Sequence, residues 1–261
     1  MEAQVYKIHS DFYYVKPTDG SGGLLTCKLR EVLKKRKIKI KVGDFVEVEG
    51  NEAISNLLER KNTIQRPAVS NLDLVVVVSS LLEPSVDFIQ LNRYLTFLKY
   101  HKIPVLLCFN KDDLMEKEEL DSAKKTIESV YSPLGYKTIF TSALLNDGLD
   151  DFKELIKGKT IAFCGLSGVG KSSILNALSE KNLKVGNVSR KNKRGCHTTR
   201  HCEIIEFEET KIIDTPGFSR LVFDFILPKD LTNLFDDIKR FKDECKYTDC
   251  LHTEEDEECA V

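Results

Sequence analysis

Residues 165–172 read G-L-S-G-V-G-K-S, and this segment restricts the possible folds of the chain more than any other. The apolar run Ile161–Cys164 predicts a strand before it, and Ser172–Ser179 predicts a helix after it. Glycines at this spacing let successive backbone N–H groups surround an anion at a helix N-terminus. The segment is therefore typical of a phosphate-binding loop, in which Lys171 contacts phosphates and Ser172 ligates Mg²⁺.

A second motif, Asn110-Lys111-Asp112-Asp113, follows the predicted strand Val105–Phe109. A carboxylate at Asp113 can accept the N1–H and N2–H₂ protons of guanine, a donor pair that adenine lacks. In isolation N-K-D-D could be a polar turn, but beside a phosphate loop it favours GTP over ATP. Thr141-Ser142-Ala143, after the next predicted strand, resembles a third guanine-side element whose backbone N–H meets the base carbonyl.

A third motif, Asp214-Thr215-Pro216-Gly217, also ends a predicted strand. Asp214 is placed to hold Mg²⁺ through water, and Gly217 to donate its N–H to the γ-phosphate. Between this motif and the phosphate loop lies Cys196-His197-Thr198-Thr199-Arg200. One of the two threonines is expected to complete the Mg²⁺ shell when the γ-phosphate is present, and we favour Thr199 over Thr198.

These motifs form the set of a Ras-like GTPase, but the guanine motifs precede the phosphate loop. The chain is therefore predicted to be circularly permuted, which a fold tolerates when its termini lie close together at the surface. Strands and helices alternate through this region, which predicts a mainly parallel sheet covered by helices on both faces. Besides the elements already given, the predicted strands and helices are Leu72–Val78, Ser85–His101, Glu116–Tyr131, Lys137–Phe140, Ile204–Phe207 and Lys211–Ile213.

The first 66 residues instead contain short predicted strands separated by turns, which favours a small OB-fold barrel. Arg30–Lys41 holds seven basic residues and one acid. It is either a solvated loop or a loop that contacts nucleic-acid phosphates, and the pattern alone does not decide between these two interpretations. The barrel strands are predicted at Gln4–Ile8, Phe12–Val15, Leu24–Leu29, Asp44–Glu49 and Ile54–Leu58.

The composition of the chain indicates the cellular compartment of the protein but does not identify its binding partner. The chain has no apolar run of membrane-spanning length and no signal segment after Met1, so we expect a cytoplasmic protein with reduced cysteines. Charge is uneven: residues 1–66 carry 13 Lys/Arg against 9 Asp/Glu, and residues 220–261 carry 6 against 12. The segment Lys181–Arg200 adds seven basic residues and no acid. Some of these charges could merely balance the nucleotide phosphates, but we expect the segment to form a phosphate-binding face together with Arg30–Lys41.

The C-terminal region contains a cluster of metal-ligating residues. Three thiols and one imidazole within fifteen residues form a Cys₃His set, which is typical of a closed, structural, tetrahedral zinc site. Such clustering in a short, acidic, polar segment argues against these cysteines being buried core residues. The predicted zinc ligands are Cys245, Cys250, His252 and Cys259.

The combined motifs resemble the bacterial family of GTPases that depend on the small ribosomal subunit. The resemblance implies an N-terminal OB-fold at 1–66, a permuted GTPase domain at 67–219 and a zinc finger in 220–261. It also implies GTP hydrolysis stimulated by the small subunit, a role in late subunit assembly and contact with ribosomal RNA, in a protein expected to be a monomer. Nucleotide-binding residues implied by the motif match are Asn110, Lys111, Asp112, Asp113, Ser142, Ala143, Gly165, Leu166, Ser167, Gly168, Val169, Gly170, Lys171, Ser172, Ser173, Thr198, Thr199, Asp214 and Gly217.

Two departures from the family pattern stand out. The family usually continues with helical residues beyond the finger, whereas two residues follow Cys259 here, and the finger is too acidic to face RNA by charge. Two alternatives stay open on the sequence alone. One is a signalling switch whose barrel binds a protein effector, and the other is a permuted GTPase that serves the large subunit.

Catalysis needs a group that orients the attacking water. Ras-like enzymes use a glutamine shortly after D-x-x-G, but Phe218 and Ser219 stand there in this chain. His197 is our candidate, since it adjoins the switch threonines and an unperturbed imidazole is a neutral acceptor near pH 7. The competing interpretation is that His197 only contacts RNA or packs on the loop.

Overall fold

The N-terminal residues close into a five-stranded barrel, as predicted. The computed structural model describes residues 1–183, 202–215, 218, 221, 223, 226–253, 256 and 258–261. Strand β1 pairs with both β2 and β4, β2 with β3, β3 with β5, and β5 with β4, so that the ring closes in the order of an OB-fold. The barrel elements are β1 (Glu2–His9), β2 (Phe12–Pro17), β3 (Leu25–Leu29), α1 (Glu31–Lys35), β4 (Phe45–Glu49) and β5 (Ala53–Leu57).

The basic segment Arg30–Lys41 is not a continuous loop, contrary to the prediction. Its first part forms the short helix α1, whose Leu33 is buried in the barrel core. Lys41 is 3% exposed, and its Nζ donates to Thr63 Oγ1 at 2.6 Å and to the Ile64 carbonyl at 2.9 Å. Burial lowers the pKa of Lys41 to about 8. Lys41 is therefore a structural residue, and the exposed basic stretch ends at Lys39.

A short hairpin links the barrel to the second domain. Its strands are β6 (Thr63–Ile64) and β7 (Val69–Ser70). Beside it, the fully buried Asp44 carboxylate accepts two hydrogen bonds from Arg60 at 2.7 Å, one from the Lys41 backbone N–H at 2.7 Å and one from Ser70 Oγ at 2.5 Å. These bonds fix the barrel to the start of the next domain.

The second domain is a six-stranded α/β sheet. Its spatial order is β10-β9-β8-β11-β13-β12, and the strands are parallel except for the antiparallel β12–β13 hairpin. Val75 and Val77 of β8 pack on one face and Val76 and Val78 on the other, so β8 is buried on both sides. The strands are β8 (Leu74–Ser80), β9 (Val105–Asn110), β10 (Lys137–Thr141), β11 (Thr160–Cys164), β12 (Glu203–Phe207) and β13 (Thr210–Asp214).

Helices cover both faces of this sheet. Helix α2 begins three residues later than predicted, because Asp87 caps it by accepting a 2.9 Å bond from the Gln90 N–H. Helix α4 was not predicted from the sequence, although Leu149, Phe152 and Ile156 place a fully buried stripe on it. The helices are α2 (Phe88–Tyr100), α3 (Lys117–Tyr131), α4 (Leu149–Ile156) and α5 (Lys171–Leu183).

The C-terminal region consists of short helical turns, including α6 (Pro228–Leu231) and α7 (Asp236–Lys239), and it docks on α2. Lys99 of α2 donates to Asp236 at 2.6 Å, and the ring of Phe97 lies 6.0 Å from that of Phe223 in an edge contact. None of the helices in the described residues combines the length and apolar character that a membrane crossing requires.

Replacing Asp44 tests the importance of the buried junction beside the hairpin. We expect Asp44→Ala to lower the free energy of unfolding by roughly 3–5 kcal/mol, because it leaves the Arg60 charge and the Ser70 hydroxyl without their acceptor. Urea denaturation followed by circular dichroism measures the change. The control is Glu49→Ala, which removes the exposed partner of Arg30 and should cost less than about 1 kcal/mol. Equal effects of the two substitutions would contradict this role for Asp44.

Candidate nucleotide and metal sites

The predicted phosphate loop connects the buried strand β11 to the first turn of α5. The Gly170 carbonyl accepts the Ile174 N–H at 2.9 Å, which starts the helix directly at the loop. Lys171 Nζ donates to the carbonyls of Gly165 at 2.7 Å and Leu166 at 2.6 Å, so its side chain curls over the loop. Burial lowers the pKa of Lys171. An ammonium in this position can offer the same protons to phosphate oxygens.

Two glycines of the loop are required by close backbone and side-chain approaches. At Gly165, with φ of +137°, a Cβ atom would stand 2.1 Å from the Val78 carbonyl oxygen of β8. At Gly170, with φ of +98°, a Cβ atom would stand 2.1 Å from Asn110 Nδ2. The second contact joins the phosphate loop to the first residue of the guanine motif.

Asn110 holds three loops together at the carboxyl edge of the sheet. Its side chain is 1% exposed. Nδ2 donates to the Val169 carbonyl at 3.1 Å, while Oδ1 accepts from Thr141 Oγ1 at 3.2 Å and from the Ala143 N–H at 3.1 Å. A single buried amide therefore connects the phosphate loop, the N-K-x-D loop and the T-S-A loop.

The rest of the N-K-x-D motif turns back over this edge. Lys111 takes a left-handed backbone conformation with φ of 65°, and its Nζ donates to the Glu83 carbonyl at 2.5 Å. Asp112 is 5% exposed, and burial raises the pKa of its carboxyl group. Asp113 is more exposed than Asp112, so of the two carboxylates it is the one accessible to a ligand.

The T-S-A loop is closed by its own backbone. Ser142 and Asp147 exchange two backbone hydrogen bonds of 3.1 Å, and Ser142 Oγ accepts the Leu145 N–H at 3.0 Å. These bonds keep Ala143 next to Asn110. Sequence analysis named Thr141 in the T-S-A motif but missed its hydrogen bond to Asn110, and it also missed Glu83, whose carbonyl braces Lys111. Both contacts join residues at least 28 positions apart, so no local pattern could reveal them.

Asp214 ends β13, the neighbour of β11, so it lies at the same carboxyl edge as the phosphate loop. Ser172 and Ser173 are exposed in the first turn of α5 and accessible to a ligand. The remaining predicted site residues lie outside the described residues and stay predictions: His197, Thr198, Thr199 and Gly217.

The four predicted zinc ligands converge on one point. The Sγ atoms of Cys245, Cys250 and Cys259 each lie 3.5 Å from Nδ1 of His252, and all four ligand atoms lie within 4.8 Å of one another. Tetrahedral zinc with Zn–S of ~2.3 Å and Zn–N of ~2.0 Å separates its S and N ligands by ~3.5 Å. The donor set and its spacing therefore fit a structural zinc ion.

Fold and site together define a circularly permuted GTPase with an N-terminal OB-fold. The profile of the RsgA N-terminal domain matches residues 2–55, and that of the RsgA GTPase family matches residues 56–224. The chain belongs to the RsgA GTPase family, and it is a GTP hydrolase.

Curated relatives and solved structures match along the whole chain. The "Small ribosomal subunit biogenesis GTPase RsgA" of Agathobacter rectalis is 36% identical over 100% of this chain and 90% of its own length, and that of Clostridium beijerinckii is 39% identical over 98% and 87%. The crystal structure of YjeQ from Thermotoga maritima has a TM-score of 0.81 at 33% identity, covering 100% of this chain and 89% of that one. YloQ, described as a circularly permuted GTPase, has a TM-score of 0.78 at 33% identity, covering 99% and 85%.

Substitution of Gly170 tests the contact between the phosphate loop and Asn110. We expect Gly170→Ala to weaken GTP binding by roughly tenfold or more, because the new methyl group must displace a buried, hydrogen-bonded amide. Titration with a fluorescent GTP analogue measures the affinity. Gly168→Ala is the matched control: it carries a similar φ of +85° in the same loop, but its Cβ atom would meet only Pro84 at 3.9 Å. A loss as large in Gly168→Ala would show that backbone strain, not Asn110, explains the effect.

Metal removal tests the Cys₃His cluster. We expect one zinc ion per chain by elemental analysis, and Cys250→Ala should lose the ion and unfold the C-terminal region. GTP affinity should stay near that of the unsubstituted chain, because the nucleotide loops lie at the carboxyl edge of the GTPase sheet and contain none of the four predicted zinc ligands. Cys27→Ala, a buried barrel cysteine, is the control that should retain zinc. Full zinc content in Cys250→Ala would exclude Cys250 as a ligand.

Proposed function

We propose that this chain binds the small ribosomal subunit and hydrolyses GTP during late assembly of that subunit. The observation that carries the proposal is the match of the whole chain to relatives named small ribosomal subunit biogenesis GTPases. The permuted nucleotide site beside an OB-fold agrees with it. We further infer that the protein acts as a monomer in the cytoplasm. Its domains would be the OB-fold at 1–66, the GTPase domain at 67–219 and the zinc-finger region at 220–261.

In this proposal Asp113 accepts guanine protons, and Lys111 and Ala143 hold the base in place. Residues 165–173 surround the phosphates, and Lys171 donates hydrogen bonds to oxygens of the β- and γ-phosphates. Ser172, Thr199 and, through water, Asp214 would hold Mg²⁺, which would supply positive charge to neutralise the charge that develops on the phosphates. A zinc ion held by the Cys₃His cluster would be structural, since four protein ligands leave no open position.

The attacking water needs an orienting group, and residue 218 is not that group. Phe218 is 3% exposed and its ring lies 6.4 Å from that of Phe97 on α2, so it packs in the core. His197 remains our proposal for this role. His197 lies in the basic segment Lys181–Arg200. We expect His197 to orient the water efficiently only when this segment contacts the small ribosomal subunit, so that the subunit would stimulate hydrolysis.

The exposed part of the basic segment supports contact with ribosomal RNA. Lys35, Arg36, Lys37 and Lys39 are all exposed, and none forms an ion pair with an acid among the described residues. Arg30 and Lys34, in contrast, pair with Glu49 and Glu31. Unpaired cations on a barrel surface bind phosphates by releasing counterions, which makes affinity strongly dependent on salt.

Co-sedimentation tests the proposal. With a non-hydrolysable GTP analogue we expect the chain to migrate with small subunits on a sucrose gradient. The triple substitution Lys35→Glu, Lys37→Glu and Lys39→Glu should weaken binding and reduce the slope of log affinity against log salt by about one unit per lysine. The control reverses three exposed lysines of the GTPase domain, Lys102, Lys125 and Lys157. Migration with large subunits, or with neither subunit, would contradict the proposal and favour the alternative roles.

A further inference from the structure

The first barrel strand is also the outermost strand of the GTPase sheet. Lys7 of β1 lies opposite Glu203 of β12, and their side chains form a 3.1 Å ion pair. In the described residues this is the single register pair between the two strands. Tyr6, the preceding residue, is 6% exposed and packs in the GTPase core with Ile204 and Ile213. Between β1 and β12 the backbone pairs at this one position, so side chains make the rest of the contact between these two strands.

Glu206 on β12 receives two barrel side chains. Tyr6 donates its hydroxyl proton to Glu206 Oε1 at 2.6 Å, and Lys16 Nζ donates to both carboxylate oxygens at 2.7 and 2.8 Å. The hydrogen bond from Lys16, followed by the one from Tyr6, holds the pKa of Glu206 below its usual range. Burial, followed by the Glu206 hydrogen bond and charge, raises the pKa of Tyr6. The carboxylate is thus ionised and fixed by directional, charge-assisted bonds.

The neighbouring strand β13 is held in the same way. Lys211 Nζ donates to Gln4 Oε1 at 2.7 Å and lies 5.7 Å from the centre of the Tyr6 ring. Gln4 is 1% exposed, so its amide is fixed inside the barrel wall. Three residues beyond Lys211, β13 ends at Asp214, the proposed Mg²⁺ residue. Barrel side chains therefore hold both strands of the hairpin that leads to the phosphate site.

We propose that this junction, formed by Gln4, Tyr6 and Lys16 with Glu206 and Lys211, transmits subunit binding on the barrel to GTP hydrolysis. It does so by holding the barrel at a fixed angle to β12 and β13, and the proposal rests on the proposed function. A rigid junction means that an RNA bound to the barrel meets the nucleotide edge in one geometry. A hinged junction would lose orientation that catalysis requires. These five side chains are positioning residues that act through the strands.

The test compares the full chain with the double variant Tyr6→Phe/Glu206→Gln. Intrinsic GTP hydrolysis and the KM for GTP should stay unchanged, because neither side chain belongs to the nucleotide loops. The kcat at saturating small subunit should fall about tenfold, while the subunit concentration for half-maximal binding stays the same. Hydrogen exchange should become faster at residues 203–207, a change that reports the loosened junction directly.

Three further variants support the interpretation. Lys16→Arg should keep the stimulated rate, since a guanidinium can also donate to both carboxylate oxygens. Glu49→Gln, which neutralises an exposed acid paired within the barrel, is the matched control and should change neither rate. Tyr6→Phe alone keeps the ring in the core and removes only the hydroxyl group. If the double variant fails to fold, Tyr6→Phe alone tests the same coupling, and its kcat at saturating small subunit should fall about threefold.

The possible outcomes separate this inference from the proposed function. If the small subunit does not stimulate GTP hydrolysis by the unsubstituted chain, the proposed function is wrong, and the inference about the junction is wrong as well. If it stimulates the unsubstituted chain and the double variant equally, the function stands and the junction has no coupling role. A variant that loses intrinsic hydrolysis as well would show a merely structural role and would also overturn the inference. Selective loss of stimulation with subunit binding retained supports it.

Discussion

The nucleotide edge of this protein depends on one buried amide, the side chain of Asn110. It bonds to Val169, Thr141 and Ala143, which belong to two other loops. Leaving such a buried group without partners costs about 1–3 kcal/mol, so each of the three loops stabilises the arrangement of the other two. These contacts depend on position in space and not on chain order. The same site can therefore be built although the guanine motif precedes the phosphate loop in the sequence.

Permutation gives helix α2 a second role as the support of the C-terminal region. After Asp214 the chain continues past Phe218 and Phe223, whose rings make edge contacts with Phe97 at 6.4 and 6.0 Å. Lys99, two residues further along α2, donates to Asp236. The C-terminal region that carries the Cys₃His cluster therefore packs on the same helix as the segment that leaves the phosphate site.

The sequence predicts those parts of the molecule whose chemistry is local. The apolar run of β8, the loop at 165–172 and the spacing of the Cys₃His ligands are short-range patterns, and the barrel, the permuted sheet and the convergence of the cluster confirm them. The five-residue helix α1 is too short for a helical period to be visible. Burial of Lys41 depends on acceptors at residues 63 and 64, and the bond between Tyr6 and Glu206 spans 200 positions. Only tertiary structure decides such contacts.

Strand β1 has a consequence for the order in which the chain folds during its own synthesis. Its partners β2 and β4 emerge from the ribosome within the first fifty residues, so the barrel can close early. Its third partner, β12, begins at residue 203, and the ladder between them must wait until most of the chain has been made. Contacts of such long range also form slowly. The barrel is therefore a finished template on which the last strands of the nucleotide domain assemble.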